Sequence, residues 1–153
     1  MPFALLRPDE WDFPLLLHVL GAMLLVGTLI VVLIVLLAAW RMREVSQARA
    51  LRRFGFLTLL VGALPCYVLM RIGAEWIGSE ENLDEVDAEW ADIGYVTADL
   101  GLLVLVAATV VAWVAARRGA AGGLLSQIAA VLTAVLLAAF LVAVWAMTTK
   151  PGA

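Results

Sequence analysis

The side chains of this chain that can hold a metal, move a proton or pair charge in the outer half of an apolar setting are few: His18, Cys66, Tyr67, Met70, Arg71, Tyr95, Asp99 and Met147. The only histidine stands inside LLLHVLGAMLLVG, residues 15–27, where water is scarce. Such an imidazole has three readings: a neutral ring hydrogen-bonded to a carbonyl or to Asp99, a metal or haem ligand, or a proton carrier. Imidazole with thiolate or thioether suits copper, which makes His18, Cys66 and Met70 the candidate metal set. Cys66 and Met70 lie four apart and share a helix side. There is no H-x-x-H or C-x-x-C spacing to support them. A haem would need a His and Met pair or a symmetric dimer, because one chain supplies one imidazole. The sequence leaves the cofactor unspecified.

A second constellation carries charge. Tyr67 and Arg71 are four apart, as are Tyr95 and Asp99, so each pair shares one side of its helix. If the two helices are antiparallel neighbours, Tyr67 is level with Asp99 and Arg71 with Tyr95. An uncompensated charge at the bilayer centre costs on the order of 3 kcal/mol on insertion scales, and such residues usually mark function. The plainer account has Arg71 reaching for the surface and Asp99 protonated or accepting a hydrogen bond from Tyr67.

These depths refer to a membrane because composition requires one. Of 153 residues, 65% are hydrophobic and 15% charged, and the mean hydropathy is +1.03. Soluble domains use roughly 45–50% apolar residues. The apolar residues fall in four blocks, about 13–40, 54–72, 93–116 and 124–148, each near the length a bilayer demands. The expected fold is all-α: an integral membrane antiparallel four-helix bundle forming a single transmembrane domain over 1–153. The first block is too long for a signal-peptide core and its flank is acidic, so it is expected to remain as a span.

Arginines sort to one side. RMREVSQARALRRF joins the first two blocks and Arg117 and Arg118 join the last two, whereas GSEENLDEVDAEWAD between the second and third is acidic. Positive short loops mark the cytoplasmic face, so both termini are expected outside, in a bacterial inner (plasma) membrane. The six tryptophans all fall near block ends, as interfacial indoles do. Leu83, Val86, Trp90 and Ile93 form one helical stripe, with Asn82 and Glu85 able to build a capping box; they predict a short interfacial helix between spans two and three. Pro65 removes a helix hydrogen bond, frees the Val61 carbonyl and is expected to kink the second span. Ala108, Ala112 and Ala116, and then Ala130, Ala134 and Ala138, recur four apart, a pattern that lets membrane helices approach closely within the bundle or against another subunit.

LLLHVLGAMLLVG and the closing VWAMTTKP resemble bacterial four-helix integral membrane proteins of unknown function, distantly similar to the copper-resistance-D-like group. That resemblance implies copper handling near the periplasmic side, with His18 as the position carried over. The chain differs from the group in having fewer helices and no second histidine.

Phosphate-cradling glycine loops, H-E-x-x-H and G-x-S-x-G are absent from the sequence, and Ser46, Ser79 and Ser126 lie away from His18. The basic loop after the first block is able to attract anionic lipid headgroups, though its plainer role is to fix topology; beside a membrane its arginines give no nucleic-acid reading. Three functional readings follow. One is a non-enzymatic protein whose outer-leaflet polar layer, His18, Asp99 and Arg71 with Tyr67 and Tyr95, binds or transfers a metal, a proton or a small ligand; His18 and Asp99 are then expected to point into the bundle. Another is an accessory subunit docking on a membrane-protein partner, or a homo-oligomer, through small-residue faces. The third is chemistry on a lipid or quinone, since Tyr, His and Asp can move protons.

Overall fold

The computed structural model describes residues 12–81 and 89–149. Helix α1 (Asp12–Arg41) is followed by α2 (Val45–Thr58), which runs through a π turn at Leu59–Ala63 into α3 (Leu64–Glu81). Then come α4 (Glu89–Arg117), a 3-10 turn at Gly119–Gly122 and α5 (Gly123–Thr149), with no strand among the described residues. Four helices are long and apolar enough to cross a membrane: Asp12–Arg41, Val45–Ser79, Asp92–Arg117 and Gly123–Thr149. The exterior is built for lipid. Met23, Val61 and Leu103 are 68%, 69% and 68% exposed, and a surface of such residues is at home only among acyl chains. The protein is an all-α four-helix bundle of the multi-pass membrane type.

The helices outrun their apolar blocks, because intrahelical hydrogen bonds must satisfy the backbone well beyond the first charged residue. Only residues 42–44 between the first two spans are non-helical; the arginine-rich segment expected as a connection is α2, whose buried Ala48, Arg52 and Gly55 form one inward stripe. At the opposite end α3 continues past Ile72 to Glu81. The stretch expected as a short interfacial helix lies, for 82–88, outside the described residues, and Trp90 and Ile93 belong to the first turns of α4 itself.

The core shows why the helices associate. Leu25, Leu29, Val32, Leu36 and Ala39 are buried along α1, and Ala98, Leu105, Ala108, Ala112 and Ala115 along α4, at alternating spacings of three and four once buried Gly101 is included. A repeat of 3.5 keeps one seam facing its partner and imposes a left-handed supercoil. Along the second span the buried series is Ala48, Arg52, Gly55, Leu59, Ala63, Tyr67 and Met70, with three consecutive steps of four. One residue more than the heptad allows has been inserted, and the π turn absorbs it: the Leu64 N–H bonds the Leu59 carbonyl, five residues back. This π turn lies one turn before Pro65, in a segment that tolerates the missing proline N–H and restores register for Tyr67 and Met70.

Around the bundle, α1 packs on α3 and α5, α4 packs most extensively on α5, and α2 meets α4, while α3 and α4 scarcely approach each other. Ala108 and Ala112 are buried in the bundle, as is Ala130, whereas Ala138 is exposed. The tightest crossing joins α1 to α3. A side-chain carbon added at Gly21 would stand 2.5 Å from the Met70 nitrogen and 3.0 Å from the Cys66 oxygen; one added at Gly73 would stand 2.5 Å from the His18 nitrogen and 2.7 Å from the Pro14 oxygen. Two glycines on opposite helices thus let the backbones touch. Phe13 and Trp76 meet edge to face above this crossing, with centroids 6.1 Å apart.

Candidate functional site at the seam of α3 and α4

Because α3 and α4 diverge toward the end opposite the arginine-rich turns, their seam is bridged by long polar side chains. The Tyr67 hydroxyl donates to the Ala98 carbonyl at 3.0 Å. One turn further along α3, Arg71 Nη2 lies 3.0 Å from Asp99 Oδ1 and 2.8 Å from Glu75 Oε1. The guanidinium carbon sits 5.3 Å from the centroid of the Tyr95 ring, a cation–π distance. The Tyr95 hydroxyl in turn abuts Gly78, where any side-chain carbon would collide with it. The structure therefore brings together Tyr67, Arg71, Tyr95 and Asp99 from two helices that otherwise stand apart.

Asp99 does not point into the bundle. Its side chain is 65% exposed, against 27% for Arg71. The inward positions of α4 are Ala98, Gly101 and Leu105; Asp99 is one residue off that stripe, hence rotated by about 100° toward the outer surface. It also lies seven residues into the span that starts at Asp92, roughly 10 Å along the axis. A carboxylate on the outside of a span at that depth needs the guanidinium beside it. Arg71 provides this with one nitrogen only. Its Nη1 is buried and has no hydrogen-bond partner.

His18 lies elsewhere. Its Nδ1 is 3.0 Å from the Met70 carbonyl oxygen, at the α1–α3 crossing, and its hydrogen bonding does not extend to Asp99. That carbonyl belongs to a helix that already uses it, so the imidazole acts as a second donor and clamps α1 onto α3 just where Gly73 lets the backbones touch. Met70 is buried and Cys66 half-buried at the same crossing, yet it is their backbone atoms that approach Gly21. Among the described residues no three side chains of His, Cys, Asp and Glu gather as a metal ion requires.

Glu75 is the member of the cluster that sequence reasoning did not single out, although a signal existed: it follows Arg71 by four residues on the same helix face. Tyr67 supplies a hydrogen bond across the seam, and Tyr67→Phe is expected to cost about 1 kcal/mol, near the upper part of measured interhelical hydrogen bonds in membranes. Thermal unfolding in detergent, compared with the wild type, measures it. Comparison with models of protein families, with curated proteins and with solved structures yields no match in any of the three.

Proposed function

We propose that this chain is a non-enzymatic membrane protein that binds a small, neutral, lipid-soluble molecule at the α3–α4 seam, in the leaflet away from the arginine-rich turns. The concentration of arginine in the opposite turns supports reading that leaflet as the outer one of a bacterial inner membrane. The observation that carries the reading is Arg71 Nη1, a guanidinium nitrogen closed to solvent and without an acceptor, beside an outward-facing carboxyl at membrane depth. Leaving a buried donor unpaired costs roughly 1–3 kcal/mol, more for a charged group, and a ligand oxygen removes that cost. One guanidinium already faces two carboxyl groups, Glu75 and Asp99, so an anionic ligand is disfavoured. The chemistry that fits has an acceptor for Nη1 and a donor for Asp99.

The test is native mass spectrometry of protein released from its own membranes in mild detergent. The wild type is expected to carry a small-molecule adduct that Arg71→Leu and Asp99→Asn both lose and that His18→Ala retains. Identical adduct patterns in wild type, Arg71→Leu and Asp99→Asn, or a wild type without any adduct, would end this reading.

A further inference from the structure

The opposite end of the bundle holds a groove of about 1050 Å³ between α2 and the end of α4. It is independent of the seam. Arg49 and Arg53 line one wall, one helical turn apart, and Arg117 lines the other. Among the described residues none of the three pairs with a carboxylate; Arg117 instead lies with its guanidinium carbon 4.2 Å from the centroid of the Trp113 ring. Deeper along the same stripe of α2 the lining turns apolar, with Phe54 and Leu57 facing the groove beside Trp113. All three are exposed. The groove is thus cationic at its mouth and apolar along its length.

The neighbouring Arg52 points the other way. It is buried, and its guanidinium lies against Gly122, whose side-chain carbon, if present, would stand 3.0 Å from Nη1. Arg52 thus packs α2 against the turn before α5, while Arg49, Arg53 and Arg117 stand on the groove side. We infer that the groove is a binding site for one anionic phospholipid, its headgroup phosphate held by Arg49, Arg53 and Arg117 and its acyl chain laid along Phe54, Leu57 and Trp113. Charge complementarity names this occupant over a neutral lipid, since three guanidinium groups without a carboxylate partner at a membrane interface select a phosphate without a compensating cation. The graded lining names it over a soluble anion, which has no use for the apolar half. Guanidinium geometry adds to the choice, because its planar fork matches a phosphate with two parallel hydrogen bonds.

The full chain is reconstituted in phosphatidylcholine vesicles with phosphatidylglycerol as the minority lipid, and lipid retained after detergent release is counted by native mass spectrometry. One arginine near a membrane surface is worth about fivefold in affinity, so the triple variant Arg49→Gln, Arg53→Gln, Arg117→Gln is expected to lose phosphatidylglycerol preference by about a hundredfold. Arg49→Gln with Arg53→Gln, which leaves the Trp113 stack in place, is expected to lose about twenty-five-fold on the same basis. Arg41→Gln with Arg43→Gln removes exposed charge from the neighbouring turn without touching the groove and is expected to keep the preference. Equal losses in the groove and turn variants, no loss in either groove variant, or displacement of the retained lipid by excess inorganic phosphate each overturn the assignment.

Discussion

Replacing Gly73 with leucine is expected to force α1 away from α3 and to lower the melting temperature of the detergent-solubilised protein by roughly 10 °C, the equivalent of about 3 kcal/mol of overpacking. The neighbours at that position are backbone atoms, His18 N at 2.5 Å and His18 Cα at 2.8 Å from a side-chain carbon, and backbone cannot swing aside as a flexible side chain does. Gly21→Leu meets Met70 N and Cα on the facing helix and is expected to cost as much. Gly27→Leu is the control. Nothing lies within 4 Å of its added carbon, so its melting temperature should stay within about 2 °C of wild type, as exposed substitutions generally do. Should all three leucine variants melt alike, the reciprocal glycine crossing is not what joins these helices. The same separation would break the His18 to Met70 hydrogen bond, so the histidine and the two glycines act as one fastening.

Deleting Val61 together with Pro65→Ala is expected to leave the protein folded, with a melting temperature within about 4 °C of wild type, an outcome unusual for a deletion inside a membrane span. Val61 lies in the π turn and is 69% exposed. Removing it turns the buried spacing from Leu59 onward into four-three alternation, so Ala63, Tyr67 and Met70 keep their inward places, and the alanine restores the backbone donor that the regular helix then uses. Deleting Ile34, equally exteriorly placed at 61% exposure, has no such turn to absorb it. Every later residue of α1 rotates by about 100°, carrying Leu36 and Ala39 out of the core. Losing one buried leucine typically costs about 2–5 kcal/mol, so this variant is expected to drop by at least 10 °C or to fail to fold. Thermal unfolding of the two deletions side by side reads the difference; a Val61 deletion as damaging as that of Ile34 would mean the π turn does more than correct register.

The membrane-spanning character, the number of spans and the segregation of arginines were legible from the residues, because lipid imposes crude requirements. A span must be long and apolar, and Met23, Leu103 and their many neighbours satisfy that whatever the packing. Spacing alone also put Tyr67 with Arg71 and Tyr95 with Asp99 on common helix sides, since the helical period is fixed. The i to i+4 relation that adds Glu75 to Arg71 was equally readable. Helix ends were less so. Apolar counting stopped at Phe54, while the backbone stays helical back to Val45, because a helix ends where its hydrogen bonds find other partners and not where its side chains become charged.

What the residues by themselves determined is therefore the solvent of this protein and the face each polar side chain occupies on its own helix. Which faces meet was decided only in three dimensions. Whether Asp99 looks inward depends on the rotation of α4 as a whole, which is set by the burial of Ala98, Leu105, Ala108 and Ala112 in the bundle, where α4 packs most extensively on α5. Whether Arg71 is level with Tyr95 depends on one extra residue absorbed at Leu59–Ala63. His18 joined Met70 instead of Asp99 because Gly21 and Gly73 bring α1 onto α3 at backbone contact. Rotation and register are collective properties of several helices, and no single helix encodes them.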